Sequence, residues 1–249
     1  MPSRIVCNSG VSAGLHQRHL GFSEHRWEII PNGFDLEKFM PSESARSALR
    51  SELGLPPETL LIGLIGRYHP VKDHPNFLRA AAILRKSAAG VHFLLAGKGV
   101  DGHNTALREQ SAALGLLDCT HLLGERDDMF RITAALDIAS SSSSSEAFPN
   151  VIGEAMSCGV PCVVTDVGDS AWLVGDTGTA VPAQDSDALA RAWMELCAAD
   201  PSRRRDLGAA ARERIAAHFS MASVAAQYEQ MYERILGSAE AKGYRQCAA

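Results

Sequence analysis

The chain has 249 residues, 46% of them hydrophobic and 21% charged, a composition that excludes a disordered, collagenous or low-complexity polymer. At roughly 150 residues per domain, this length holds one large or two modest domains with a sizeable core. Its 24 Lys and Arg against 29 Asp and Glu give a formal charge of −5, so nucleic acid is a poor first guess for a partner. Six cysteines, Cys7, Cys119, Cys158, Cys162, Cys197 and Cys247, are scattered without a C-x-x-C pair, which points to reduced thiols and a cytoplasmic setting. The close pair in CGVPC reads as a helix end followed by a buried strand, because no further metal ligands stand near it. The sequence has no apolar run of about 18 residues and no basic-then-apolar leader, so neither a membrane span nor a secretion signal is expected.

In chain order, residues 5–7 and 28–30 predict two short strands around one helix, followed by IPNGFD as a turn-rich connector. Apolar runs at 60–65, 91–96, 121–123, 136–139, 161–165 and 179–181 predict further strands. Helical spacing marks 76–86, 104–114, 128–134 and 151–157 between them, then 187–198, 203–218 and 222–236. Strands alternating with helices predict an α/β doubly wound parallel sheet, Rossmann-like, spanning about 41–215. Residues 1–40 look like the remnant of another domain plus a linker, and 216–249 like a terminal helix and tail. That helix carries Val224, Tyr228, Met231, Tyr232 and Ile235 at helical spacing, a stripe that either stays exposed or folds onto its own chain.

Ligands of an open parallel sheet bind beyond the carboxyl ends of its strands. The segments in that position are GRYHPVKDH, GKG, SSSSSSEAFPN and DVGDS. Arg67 and Lys72 beside Gly66, with a helix starting near Asn150, describe an anion site, most simply for a diphosphate. Glu146 and Glu154 are separated by seven residues and can face one cleft, where two carboxylates suit a ligand with vicinal diols at both ends. The serine run is read as small residues that let the backbone approach a ligand. Asp185-Ser186-Asp187 and Asp127-Asp128 each precede a helix and are read as caps, which leaves no metal ligands assigned.

GRYHPVKDH together with SEAFPNVIGEAMSCGVPCVVTDVGD resembles the donor-binding half of group 1 glycosyltransferases, retaining enzymes of GT-B fold; IPNGFDLEKF and VGDTGTAVP support the match. The resemblance covers residues 1–237 and implies that Arg67 and Lys72 hold the donor diphosphate, that Glu154 bonds the ribose and that Glu146 binds the transferred sugar. It further implies that backbone N–H groups around Phe148, Pro149 and Asn150 meet sugar and phosphate, and that the base lies near Gly124, Glu125 and Arg126. No cofactor is implied; the donor is a UDP-sugar, with a GDP-sugar as competitor, and the acceptor is a glycan or lipid-linked sugar. The family's acceptor-binding half is expected to be missing here, along with the peripheral membrane association that it carries. His16, His19, His69 and His74 are not read as substitutes for its catalytic histidine. Open readings are a donor half transferring hexosyl units, a split enzyme completed by a separate acceptor-domain chain, a non-catalytic nucleotide-sugar module and, more weakly, an epimerase.

Overall fold

The computed structural model of the protein describes residues 2–247, with side chains through residue 237. The Cys247 thiol and the end of the expected tail lie outside the described residues. Six strands, β3 Leu61–Ile65, β4 His92–Ala96, β5 Thr120–Leu122, β6 Ile138–Ser141, β7 Cys162–Thr165 and β8 Thr179–Val181, form one sheet in the order β5-β4-β3-β6-β7-β8. Every neighbouring pair is parallel. The central strands read as continuous apolar runs because helices cover both faces, as in doubly wound proteins. On one face α3 His74–Arg85 and α8 Ser186–Ala198 bury Phe77 and Trp193 against Phe93. On the other, α2 Glu43–Glu52, α5 Met129–Ala134, α6 Asn150–Ser157, α7 Ser170–Val174 and α9 Pro201–His218 close over Leu61, Leu94 and Val164. The remaining crossover helix, α4 Thr105–Ala113, buries Leu107. Strand order reverses between β3 and β6, and this switch point is where such a sheet opens a ligand crevice.

The sheet edge opposite that crevice is pinned by a buried cation. Arg50 of α2 is only 2% exposed and donates to Asp137 Oδ2 at 2.6 Å, to the Ala135 carbonyl at 2.9 Å and to the Thr59 carbonyl at 3.2 Å. Asp137 accepts in addition from Leu61 N–H at 2.8 Å, which ties the starts of β3 and β6 to one carboxylate. These bonds hold Asp137 in the approach to β6, so the strand begins at Ile138 and absorbs Ser140 and Ser141, two residues later than its apolar run predicts. α2 itself has no counterpart in the sequence reading, since only Ala45, Leu49 and Arg50 of its ten residues are buried. α3 starts at His74, where Asp73 takes a left-handed conformation (φ 45°) and its carboxylate accepts from Asn76 N–H.

The N-terminal segment forms a small parallel pair, β1 Ile5–Cys7 with β2 Trp27–Ile29, around α1 Gly10–Leu20. The terminal helix α10, Met221–Cys247, packs on it: Val224 and Met231 are buried with Ile30, with Val6, Tyr228 and Ile235 at the margin, while Tyr232 is exposed. The stripe thus folds onto its own chain. The connector is pinned as well, with Phe34 N–H donating to the Phe219 carbonyl at 2.8 Å and the Phe34 carbonyl accepting from Met221 N–H at 3.1 Å. Asp169, in the turn after β7, caps α1 by accepting from Gly10 N–H at 2.7 Å and Val11 N–H at 3.3 Å. Among the described residues, no helix is long and apolar enough to cross a membrane.

Candidate functional site

The segments that follow β3, β4, β6 and β7 meet at the carboxyl ends of the sheet. The β3 and β4 loops run side by side, with Gly66 N–H donating to the Ala96 carbonyl and Tyr68 N–H to the Lys98 carbonyl, both at 2.8 Å. Gly97, at φ 140°, permits this, because a Cβ there would lie 2.4 Å from the Gly66 carbonyl oxygen. Between the loops opens a cavity of about 610 Å³ lined by Arg67, Tyr68, His69, Lys98, Asp101 and His103, among others. Arg67 is exposed in it and makes no hydrogen bond or ion pair among the described residues, so its guanidinium is free to meet an anion. Lys98, within the GKG segment already placed at this edge, and His103, which the sequence reading did not single out, add basic groups.

On the other side of Gly66, the Lys72 ammonium meets Glu146 Oε1 at 2.5 Å, joining the β3 and β6 loops across the switch point. The two side chains are 20% and 12% exposed, so the pair is partly desolvated and stronger than a surface ion pair. Ser143 Oγ donates to the same Oε1 at 2.7 Å. The serine run forms the frame of this loop rather than a bare spacer: Ser142 Oγ donates to the Lys72 and Asp73 carbonyls, Ser144 N–H to the Val71 carbonyl, and Thr165 Oγ1 to the Ser143 carbonyl. These hydroxyls are spent on the protein.

α6 begins at Asn150, directly after the loop. Phe148 and Val151 N–H have no acceptor among the described residues, whereas Asn150 N–H turns back to the Phe148 carbonyl at 3.1 Å. The Asn150 amide oxygen accepts from Asn32 of the connector at 2.8 Å. Pro149 has no N–H to offer. The Phe148 side chain is core, its ring about 6.1 Å from those of Phe34, Trp172 and Phe219. Glu154, one turn into α6, is half-buried and its carboxylate has no hydrogen-bond partner among the described residues. Burial raises its pKa, and nearby Lys38 offsets part of the rise. An unpartnered, partly desolvated carboxylate is well placed to accept ligand hydroxyls.

Glu125 is exposed beside Gly124, which bridges the β4 loop through bonds to Val100 and Gly97. The Arg126 guanidinium donates to both oxygens of Asp128 at 2.8 Å and to Glu52 at 2.6 Å, in a network completed by Arg131. Asp128 consequently makes no side-chain cap on α5, whereas Asp185 does cap α8 by accepting from Ala188 N–H at 2.8 Å. His16 and His19 are exposed, His69 accepts from Val71 N–H, and His74 is the first residue of α3. His74 is buried with neither ring nitrogen bonded among the described residues; burial first, and Lys72 second, push its pKa down to about 4. A second cavity, of about 750 Å³, lies at the opposite edge beside Leu60, Asp137 and Pro161, far from these groups.

The fold and this polar crevice place the chain among the Rossmann-like α/β proteins that bind ligands at a topological switch point. Residues 59–199 match the family model described as glycosyl transferases group 1. The chain is 32% identical to a D-inositol 3-phosphate glycosyltransferase 2 from Catenulispora acidiphila over 261 aligned positions, 99% of this chain and 59% of that protein. Among solved structures it is similar to Anabaena Alr3699/HepE in complex with UDP-glucose, with a TM-score of 0.82, 26% identity, and coverage of 94% of this chain and 64% of that one. It is also similar to sucrose-phosphate synthase from Thermosynechococcus elongatus, with a TM-score of 0.76, 26% identity, and coverage of 94% and 58%. The chain belongs to the group 1 glycosyltransferases. It spans 59% of the Catenulispora relative and 42% of the putative glycosyltransferase EpsF of Bacillus subtilis.

Proposed function

We propose that the chain binds a nucleoside diphosphate sugar and serves as the donor side of a retaining hexosyl transfer to a glycan or lipid-linked acceptor. The observation that carries this reading is the Lys72–Glu146 pair across the switch point, with Arg67 in the neighbouring cavity between the β3 and β4 loops and an unpartnered Glu154 one turn into α6. Arg67 and Lys72 neutralise the diphosphate, and the free N–H groups at the start of α6 add a partial positive charge. Glu146 accepts from hydroxyls of the sugar, and Glu154 from those of the ribose.

As the bond between the anomeric carbon and the diphosphate oxygen breaks, negative charge grows on the diphosphate. Cations already in place stabilise it without reorganisation. The acceptor oxygen bonds the anomeric carbon on the face the diphosphate leaves, and its proton passes to a diphosphate oxygen, so configuration is retained. The bound UDP-glucose in the Anabaena relative supports a uridine donor here. The acceptor surface belongs to a region outside these residues, on the same or a separate chain; in the latter case, adding that chain would restore turnover. Calorimetric titration with UDP and GDP tests the donor site. One nucleotide is expected to bind saturably and to weaken by roughly tenfold in both Lys72→Ala and Glu154→Ala, a loss typical of a bond to a charged group. No binding by the folded chain would sink the reading.

A further inference from the structure

Glu146 receives two donors on a single oxygen. Lys72 Nζ and Ser143 Oγ both reach Oε1, at 2.5 and 2.7 Å, and Oε2 has no partner among the described residues. Ser143 is itself 1% exposed and held from two sides: Ser141 Oγ donates to its hydroxyl at 3.2 Å, and its carbonyl accepts from Thr165 Oγ1 at 2.6 Å. The backbone carrying Glu146 is fixed too, since its carbonyl lies against Gly168, where a Cβ would approach it to 2.2 Å.

Lys72 and Glu146 therefore neutralise each other, and an arriving diphosphate competes with Glu146 for the Lys72 ammonium. If Lys72 turns to phosphate, a carboxylate only 12% exposed loses its counter-charge. Ser143 Oγ is then its remaining donor among the described residues. We propose that Ser143 is the positioning residue that keeps Glu146 aimed once Lys72 has moved to the diphosphate, leaving Oε2 for a sugar hydroxyl. The chain Ser141 to Ser143 to Glu146 runs donor to acceptor throughout, so each bond polarises the next. Occupation of the site is thus coupled to the sugar: the nucleotide draws Lys72 away, and the sugar engages the carboxylate that Ser143 retains. This inference rests on the donor-site reading and adds a role that acts only through Glu146.

The test compares UDP with UDP-glucose, or GDP with its hexose conjugate if GDP is the nucleotide bound, by calorimetry. Ser143→Ala is expected to weaken the nucleotide sugar by roughly tenfold while shifting the bare nucleotide by less than twofold, as for loss of a hydrogen bond to a charged group. In a Glu146→Ala background the same change is expected to have no further effect on the ratio of the two affinities. Equal losses for both ligands, an unchanged ratio in Ser143→Ala, or additive losses in the double variant would each overturn the proposal. A wild-type chain that binds neither ligand would overturn the donor-site reading and, with it, the proposal.

Discussion

Lys72 sits between two anions, one belonging to the protein and one to the proposed ligand. With Glu146 changed to Gln the ammonium keeps its place and loses its charged competitor. Glu146→Gln is therefore expected to tighten bare UDP by a few-fold while weakening UDP-glucose, and paired titrations would read the crossover. Equal weakening of both would refute the competition. His74 lies just behind this pair, buried and unbonded among the described residues. Its pKa of about 4 stands below the ordinary 6.5, so between those values the unfolded chain binds a proton that the folded chain refuses. Stability is then complete above about pH 6.5 and declines as pH falls toward 4, by about 3 kcal/mol from this group. Urea unfolding between pH 4.5 and 7.5 should show a shallower decline in His74→Leu. His92 and His121, which burial also holds low, keep part of the slope in that variant.

At the scale of elements, Arg50 links α2 to the approaches of β3 and β6 on the edge away from the crevice. Arg50→Ala leaves Asp137 partly buried with Arg46 as its remaining charged partner, and is expected to lower stability by about 3–5 kcal/mol in denaturant titration. The strands of this sheet were legible because parallel strands buried on both faces appear as apolar runs, and the segments beyond them included both partners of the Lys72–Glu146 pair. α2 was not legible, since its anchor is a buried arginine among polar residues rather than an apolar stripe. Ser143 was hidden for a different reason: in a run of six serines nothing local tells a hydroxyl aimed at a carboxylate from one that spans a loop. Arg126 shows the converse limit, as a cation near the expected base site that is taken up by Asp128 two residues on and by Glu52, 74 residues away in sequence.

Across the whole molecule, the N-terminal segment is held by the far end of the chain. Val224 and Met231 bury against Ile30, so Met231→Ala should loosen residues 5–30 by about 2–4 kcal/mol while the sheet keeps its own core. Limited proteolysis is expected to cut the variant before residue 31, with nucleotide affinity unchanged within about twofold. A parallel loss of affinity would mean that the segment helps to shape the site. One bond suggests how such coupling would run. Asp169 grips the first turn of α1 with its carboxylate while its own N–H donates to the Ala147 carbonyl at 3.0 Å, one residue from Glu146. α1 and the loop that carries Glu146 thus share one hinge pin, Asp169, whose side chain faces the helix and whose backbone faces the loop.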